Sequence, residues 1–397
     1  MQAINAAVMW RNNRCMVLDC IRRRPISRAE LSDETHLTHA SITQIVDELI
    51  ADGLVRESAP VSNHRPGRRQ TLLTLAPDAL NIAGINIGHQ GYELGLIDLS
   101  GREIWSGAGS LSGRAPAEVL DEIARRLTEA VAARGLHPEQ ICCVGVSAPG
   151  PLDPIDGALL NPPNFRAWHG VPVASMLQER LGLRVHLANV ANAHALDEMY
   201  FGVGREGVRD FMLLRVDESV SAGFVLDGRL FSGARGRCPE IGHITVDRNG
   251  PLCDCGNRGC LEKYLAFPAA LAGTPFSSWR EVVDILDASA AAASLFDRVA
   301  EDLAFEIINI INVFDLERIV LSGHLAYGGA RLAEAVSRWV DGLSLRRLSG
   351  QAVVSSGLPH PVRIAAMPAY HSFFNPSEGC VGGGDRCQNC RIARPSP

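Results

Sequence analysis

Between Glu240 and Glu262 the segment EIGHITVDRNGPLCDCGNRGCLE brings together one imidazole and three thiols, those of His243, Cys253, Cys255 and Cys260. One nitrogen and three thiolates make a closed four-ligand set, the donor chemistry of structural Zn(II), with no position left open for a reacting molecule. A reduced thiol cluster without metal and an iron–sulfur site are the alternatives that the residue types leave open. Gly256 and Gly259 let the backbone turn tightly enough for three sulfurs to converge. A carboxylate stands at each end of the segment, and that bracketing asks for a second role.

The rest of the chain bounds what that role can be. Its 397 residues are 46% hydrophobic and 21% charged, enough for two or three domains with sizeable cores. No apolar run approaches the roughly 18 to 20 residues that a membrane helix needs. The opening MQAINAAVMWRNNR lacks the basic start and apolar core of a secretory signal, so the expected location is the cytoplasm. There the eleven cysteines read as buried hydrophobes or metal ligands rather than disulfides. Cys15, Cys20, Cys142 and Cys143 lie among apolar residues and are expected in the core. Cys380, Cys387 and Cys390 lack a fourth ligand and are read as part of a loose tail.

Charge is unevenly spread. Residues 1–75 hold ten arginines and eight acids, a net +2, so the remainder carries −8 of the total −6. Any nucleic-acid contact is therefore expected at the front. Val17, Leu18 and Ile21 line one helical face there, and Ser27 with Glu30 forms an S-x-x-E capping box that starts a second helix. A third helix is expected from near Thr38 to Gly53, with Ile42, Ile45, Val46, Leu49 and Ile50 facing inward. Its other face carries Thr38, His39, Ser41, Thr43 and Gln44, short polar side chains able to approach base edges. Two strand-like stretches, LVRES and TLLTL, flank an acid-free loop bearing Arg65, Arg68 and Arg69. Three helices and a basic-tipped two-stranded wing describe a winged helix-turn-helix that binds double-stranded DNA.

From about residue 80 strands and helices alternate. NIAGINIGHQGYELGLIDLSG reads as two hairpin-linked strands and ICCVGVSAPG as a buried strand. LRVHLAN, DFMLLRV and RIVLSG are further strands, and AFEIINIINVF is helical. An α/β body in two lobes, with ligand between them, is the expected architecture.

Over residues 1–370 the chain resembles the ROK family of repressors, open reading frames and kinases. The resemblance is carried by Glu240-Ile241-Gly242-His243 followed by C-x-C-G-x-x-G-C-L-E, by GVSAPGP from Gly145 to Pro151, and by NPPNF with GVPV after it. It implies an actin-like, two-lobed sugar-kinase fold. Members with an added winged helix are sugar-gene repressors of the Mlc and NagC type. The resemblance further implies that Glu240, Glu262 and the metal-bound His243 contact a sugar, as do Asn164 and Asn189. A metal knot between the two acids would hold them at a fixed separation.

Against the kinase pattern three positions depart together. Where the kinases carry an Asp as base towards the sugar hydroxyl, this chain has Val190, which cannot accept a proton. The first phosphate loop of the family, Asp-x-Gly-Gly-Thr, appears as Asn86-Ile87-Gly88-His89-Gln90. The second, normally glycine-rich, reads DESVSAG from Asp217 to Gly223, whose two acids are expected to repel a polyphosphate.

The expectation is a non-enzymatic, sugar-responsive transcriptional regulator, with an active ATP-dependent ROK sugar kinase bearing a DNA-binding extension as the alternative. Residues 1–78 are assigned to the winged helix, 79–190 to a first lobe, 191–370 to a second lobe with structural Zn(II), and 371–397 to a tail on the first lobe. The expected partners are double-stranded DNA, a sugar or sugar phosphate, and further copies of the chain in a homodimer or homotetramer.

Overall fold

A computed structural model describes residues 6–58, 71–163, 165–237, 239–343, 353–357 and 360–375. The expected wing-tip arginines Arg65, Arg68 and Arg69, the sugar contact Asn164, and the tail cysteines Cys380, Cys387 and Cys390 lie outside these residues.

The chain opens with α1 (Ala6–Arg23), β1 (Ile26–Ser27), α2 (Arg28–Thr35), α3 (His39–Ala51), β2 (Val55–Glu57) and β3 (Leu72–Leu75). Ser27 caps α2 as expected: its hydroxyl accepts from the Glu30 amide, and Glu30 accepts from the Ser27 amide at 2.8 Å. The three strands form a small antiparallel sheet in the order β1-β3-β2. Leu18 and Ile21 of α1 are buried, as are Ile42, Ile45, Val46 and Leu49 of α3. Each such aliphatic side chain contributes roughly 1.5 to 3 kcal/mol of transfer free energy. Arg14 crosses this core only 1% exposed, where Glu48 of α3 and Asp52 at that helix's C-cap neutralise it and Trp10 stacks under its guanidinium. A buried arginine is tolerable only with such partners.

A first α/β sheet follows: β4 (Asn81–Ile87), β5 (Gly91–Asp98), β6 (Glu103–Ser110), α4 (Pro116–Ala133), β7 (Ile141–Ala148), the short pair β8 (Leu152–Asp153) and β9 (Ala158–Leu159), α5 (Val173–Leu181) and β10 (Val185–Asn189). The expected hairpin is β4–β5, and the five-stranded order is β10-β7-β4-β5-β6. Cys15 and Cys143 are buried, whereas Cys20 and Cys142 are only half-buried.

The next stretch holds α6 (Val190–Phe201), β11 (Phe211–Val216), β12 (Val220–Leu226), β13 (Arg229–Phe231), α7 (Glu262–Leu265), α8 (Phe267–Ala270), α9 (Trp279–Asp284), α10 (Ala290–Val313), β14 (Arg318–Gly323), α11 (Gly329–Leu343) and β15 (Val353–Ser355). Its sheet runs β13-β12-β11-β14-β15, with β11 and β14 parallel.

The last helix, α12 (Pro361–Phe374), corrects the sequence reading, which left residues 361–370 in the second lobe. It packs on β4, β5 and β7 of the first sheet, and the compact units are residues 1–188 with 361–397, and 189–360. Gly84 makes this possible, because a Cβ there would stand 2.2 Å from the Val362 carbonyl oxygen. Helix α12 also meets α1, where the Arg22 guanidinium lies over the Phe374 ring. No helix among the described residues is long and apolar enough to cross a membrane.

Candidate functional site

The thiol-rich segment folds as a knot between β13 and α7. A one-turn 3-10 helix, Ile241–His243, presents the imidazole. Bridges Thr245–Cys260 and Leu252–Arg258 draw the ends of the loop together, and the Cys253 amide donates to the Asn257 carbonyl at 2.8 Å. At Gly259, with φ +60°, a side chain is excluded: its Cβ would lie 1.6 Å from the Asp247 carbonyl oxygen.

Four donor atoms from His243, Cys253, Cys255 and Cys260 converge within 4.8 Å of one another. Cys253 Sγ lies 3.7 Å from His243 Nδ1, and Cys255 Sγ lies 3.6 Å from Cys260 Sγ. Thiolates bound about 2.3 Å from one ion at tetrahedral angles stand roughly 3.8 Å apart, so the spacing fits a single tetrahedral ion. Because Nδ1 faces the sulfurs, Nε2 of His243 is left on the far side of the ring.

Glu240 directly precedes the 3-10 turn and Glu262 opens α7, so both ends of the knot position a carboxylate. Glu262 accepts the Val220 amide at 3.4 Å. Glu240 is an exposed residue, but desolvation of its carboxyl, opposed by His243 and reinforced by the negative charge of Glu262, raises its pKa above the ordinary value. Asn189 is the N-cap of α6, where its Oδ1 accepts from the Asn192 amide at 2.7 Å. One face of that side chain is thereby spent on structure. Val190, the first residue of α6, stands where the kinase resemblance requires an acid.

The altered phosphate loops have internal partners. Asn86 donates to Glu93 at 3.0 Å and accepts from Ser147 at 2.8 Å, a polar ladder across β5, β4 and β7. His89 packs edge-on against Phe165, 5.2 Å between ring centres. Asp217 is only 3% exposed: Arg215 pairs with it and the His324 amide donates to it at 2.7 Å. The second loop thus buries one of its two acids instead of presenting both to solvent.

On α3 the exposed residues are His39, Ala40, Thr43, Gln44, Asp47 and Ala51. Thr38 is the N-cap, its hydroxyl accepting from the Ser41 amide at 3.2 Å and pairing with the Ser41 hydroxyl at 2.9 Å. Thr43 donates to the His39 carbonyl at 2.8 Å, and Gln44 donates to Glu48 at 3.2 Å. Arg28 of α2 holds Asp47 at 2.9 Å. Sequence reasoning passed over Ala40 and Asp47 because it sought only short polar groups. Their signal was the spacing 40, 43, 44, 47, one face of a helix.

A profile of the ROK family matches residues 82–359, and one of the MarR family matches residues 12–65. The xylose repressor of Caldicellulosiruptor bescii is 28% identical over 358 residues, which is 85% of this chain and 89% of that protein. The glucokinase of Thermotoga maritima is 30% identical over 273 residues, 63% of this chain and 84% of the enzyme. The crystal structure of a ROK-family transcriptional regulator, a homolog of E. coli MLC protein, superposes with a TM-score of 0.80 at 24% identity. It covers 92% of this chain and 97% of that one. Family coverage of both the body and its front segment leads to one conclusion: this chain belongs to the ROK family and carries a MarR-type winged helix ahead of the ROK body.

Proposed function

We infer that the chain is a sugar-responsive, DNA-binding transcriptional repressor on a sugar-kinase scaffold that no longer transfers phosphate. The observation that carries the reading is Val190 at the head of α6, in a chain that also has a winged helix. An aliphatic side chain cannot take the proton of a sugar hydroxyl, so the step that would make the scaffold an enzyme lacks its base. The buried, paired Asp217 supports the same reading, since its carboxylate already uses the Arg215 charge.

In this reading Glu240, Glu262, Asn189, Asn164 and Nε2 of His243 receive a sugar or sugar phosphate, with the two acids accepting hydroxyl hydrogens. His243 Nδ1, Cys253, Cys255 and Cys260 hold one structural Zn(II), supported by their tetrahedral spacing. When bound there, such an ion would cross-link the knot whose two ends carry Glu240 and Glu262. Helix α3 and the wing with Arg65, Arg68 and Arg69 engage double-stranded DNA, as a homodimer or homotetramer on a two-fold symmetric site. Sugar acts by preferring one arrangement of the protein over another. Such couplings are typically about 1 to 3 kcal/mol and reciprocal.

The test measures binding of the full-length protein to a duplex selected from a random pool, with and without each member of a sugar and sugar-phosphate panel. One sugar that changes DNA affinity about fivefold or more, with no ATP consumed, supports the regulator. Robust sugar-dependent ATP turnover would instead support an active kinase with a DNA-binding extension.

A further inference from the structure

We propose that α3 reads thymine methyl groups in the major groove, through the side chain of Ala40 and the methyl of Thr43. The inference rests on the DNA-binding reading above and goes beyond it by assigning the chemistry of recognition.

The polar atoms on this helix are largely committed. The hydroxyls of Thr38 and Ser41 bond to each other at the N-cap, and Ser41 is half-buried. The Thr43 hydroxyl is turned back along the helix to the His39 carbonyl at 2.8 Å, which leaves its Cγ2 methyl as the free group of an exposed residue. Ala40, one turn earlier on the same face, is exposed and has only a methyl to offer. Asp47, one turn later, is held by Arg28, and this pairing offsets a charge that phosphates would repel. The face therefore presents two methyls and, beside the second, the Gln44 amide, whose nitrogen must exchange its 3.2 Å bond to Glu48 for a base edge.

In the major groove thymine alone displays a C5 methyl, and small apolar side chains recognise it by burying that methyl. A glutamine amide matches the N6 and N7 edge of adenine. Two methyls about one turn apart, with one amide beside the second, select steps rich in A·T pairs.

The experiment uses a duplex selected from a random pool by the full-length protein, in which each thymine is replaced in turn by deoxyuridine. This removes the methyl and leaves every hydrogen-bonding group in place. For wild type, affinity is expected to fall about threefold to fivefold at one or two thymines per half-site, the scale of one buried methyl. Ala40→Gly should lose the sensitivity at one position. Thr43→Ser keeps the hydroxyl and its bond to His39 while deleting only the methyl, and should lose it at the other. If a duplex is selected but deoxyuridine is tolerated everywhere, or both variants keep the wild-type sensitivity, methyl recognition is overturned while DNA binding stands. If no duplex is enriched, both readings fall.

Discussion

The sulfurs of Cys255 and Cys260 lie 3.6 Å apart although their residues differ in setting, Cys255 exposed and Cys260 fully buried. One sulfur of the pair therefore sits at the surface of the cluster and the other in the core of the knot. Cys255→Ser should lose about one zinc per chain by emission spectroscopy, while the winged helix, which has its own core, keeps its fold. The ligand-dependent change in DNA affinity should be lost with the metal. A variant that lacks zinc and keeps the full ligand response would separate the knot from signalling.

Gly259→Ala tests the backbone of the same knot. The added methyl meets the Asp247 carbonyl oxygen, and a positive φ is itself strained for alanine, at roughly 1 to 2 kcal/mol before the clash. Zinc content and melting temperature should both fall. Gly273→Ala is the control: it has a positive φ but open space around the added carbon, so it should retain zinc.

Phosphoryl transfer should be absent. A coupled ATP-consumption assay over hexoses and amino sugars is expected to stay at background. Val190→Asp should remain inactive, because Asn86 stays tied to Glu93 and Ser147 and Asp217 stays paired with Arg215. Turnover restored by that single change would show that the phosphate loops still function.

Among the described residues Glu306 is a buried carboxyl on α10, 1% exposed, with no charged partner. Desolvation, only partly opposed by the Asn309 side chain, pushes its pKa up to about 7. The folded chain then holds a proton that the unfolded chain releases near the ordinary value of 4.5, so stability falls as pH rises from about 4.5 through about 7. Glu306→Gln keeps the shape and removes the titration. Its melting temperature relative to wild type should rise by several degrees, roughly, between pH 5 and pH 8. A difference independent of pH would mean that Glu306 is not the titrating group.

Wing arginines should act differently from the helix face. Replacing Arg65, Arg68 or Arg69 by Ala is expected to weaken binding to all duplexes alike and to reduce the slope of log affinity against log salt by about one per lost phosphate contact. Gln44→Ala should instead change which sequence is selected. If each Arg→Ala variant altered sequence choice with an unchanged salt slope, the wing would be a base reader.

Local pattern alone determined much of this protein. The Cys3His cluster was legible because its four residues fall within 18 residues of chain, with glycines where the turns must close. The three front helices were legible because capping and a 3.6-residue apolar period are short-range effects. The resemblance to ROK kinases set Val190 where those enzymes carry an acid, an expectation that needed no coordinates. What the tertiary structure decided were the partners of polar groups and the lodging of the last helix. That the hydroxyls of Thr38 and Thr43 bond within their own helix, leaving the Thr43 methyl outward, was not legible in the sequence. Asp217 looked like an exposed repulsive charge, but Arg215 and the His324 amide, 107 residues further on, make its burial affordable. Helix α12 lies on β4 and β7 because glycines far earlier in the chain leave room for its backbone. Rotamer choice and contacts between distant segments depend on the whole packed chain, and no local window of sequence contains them.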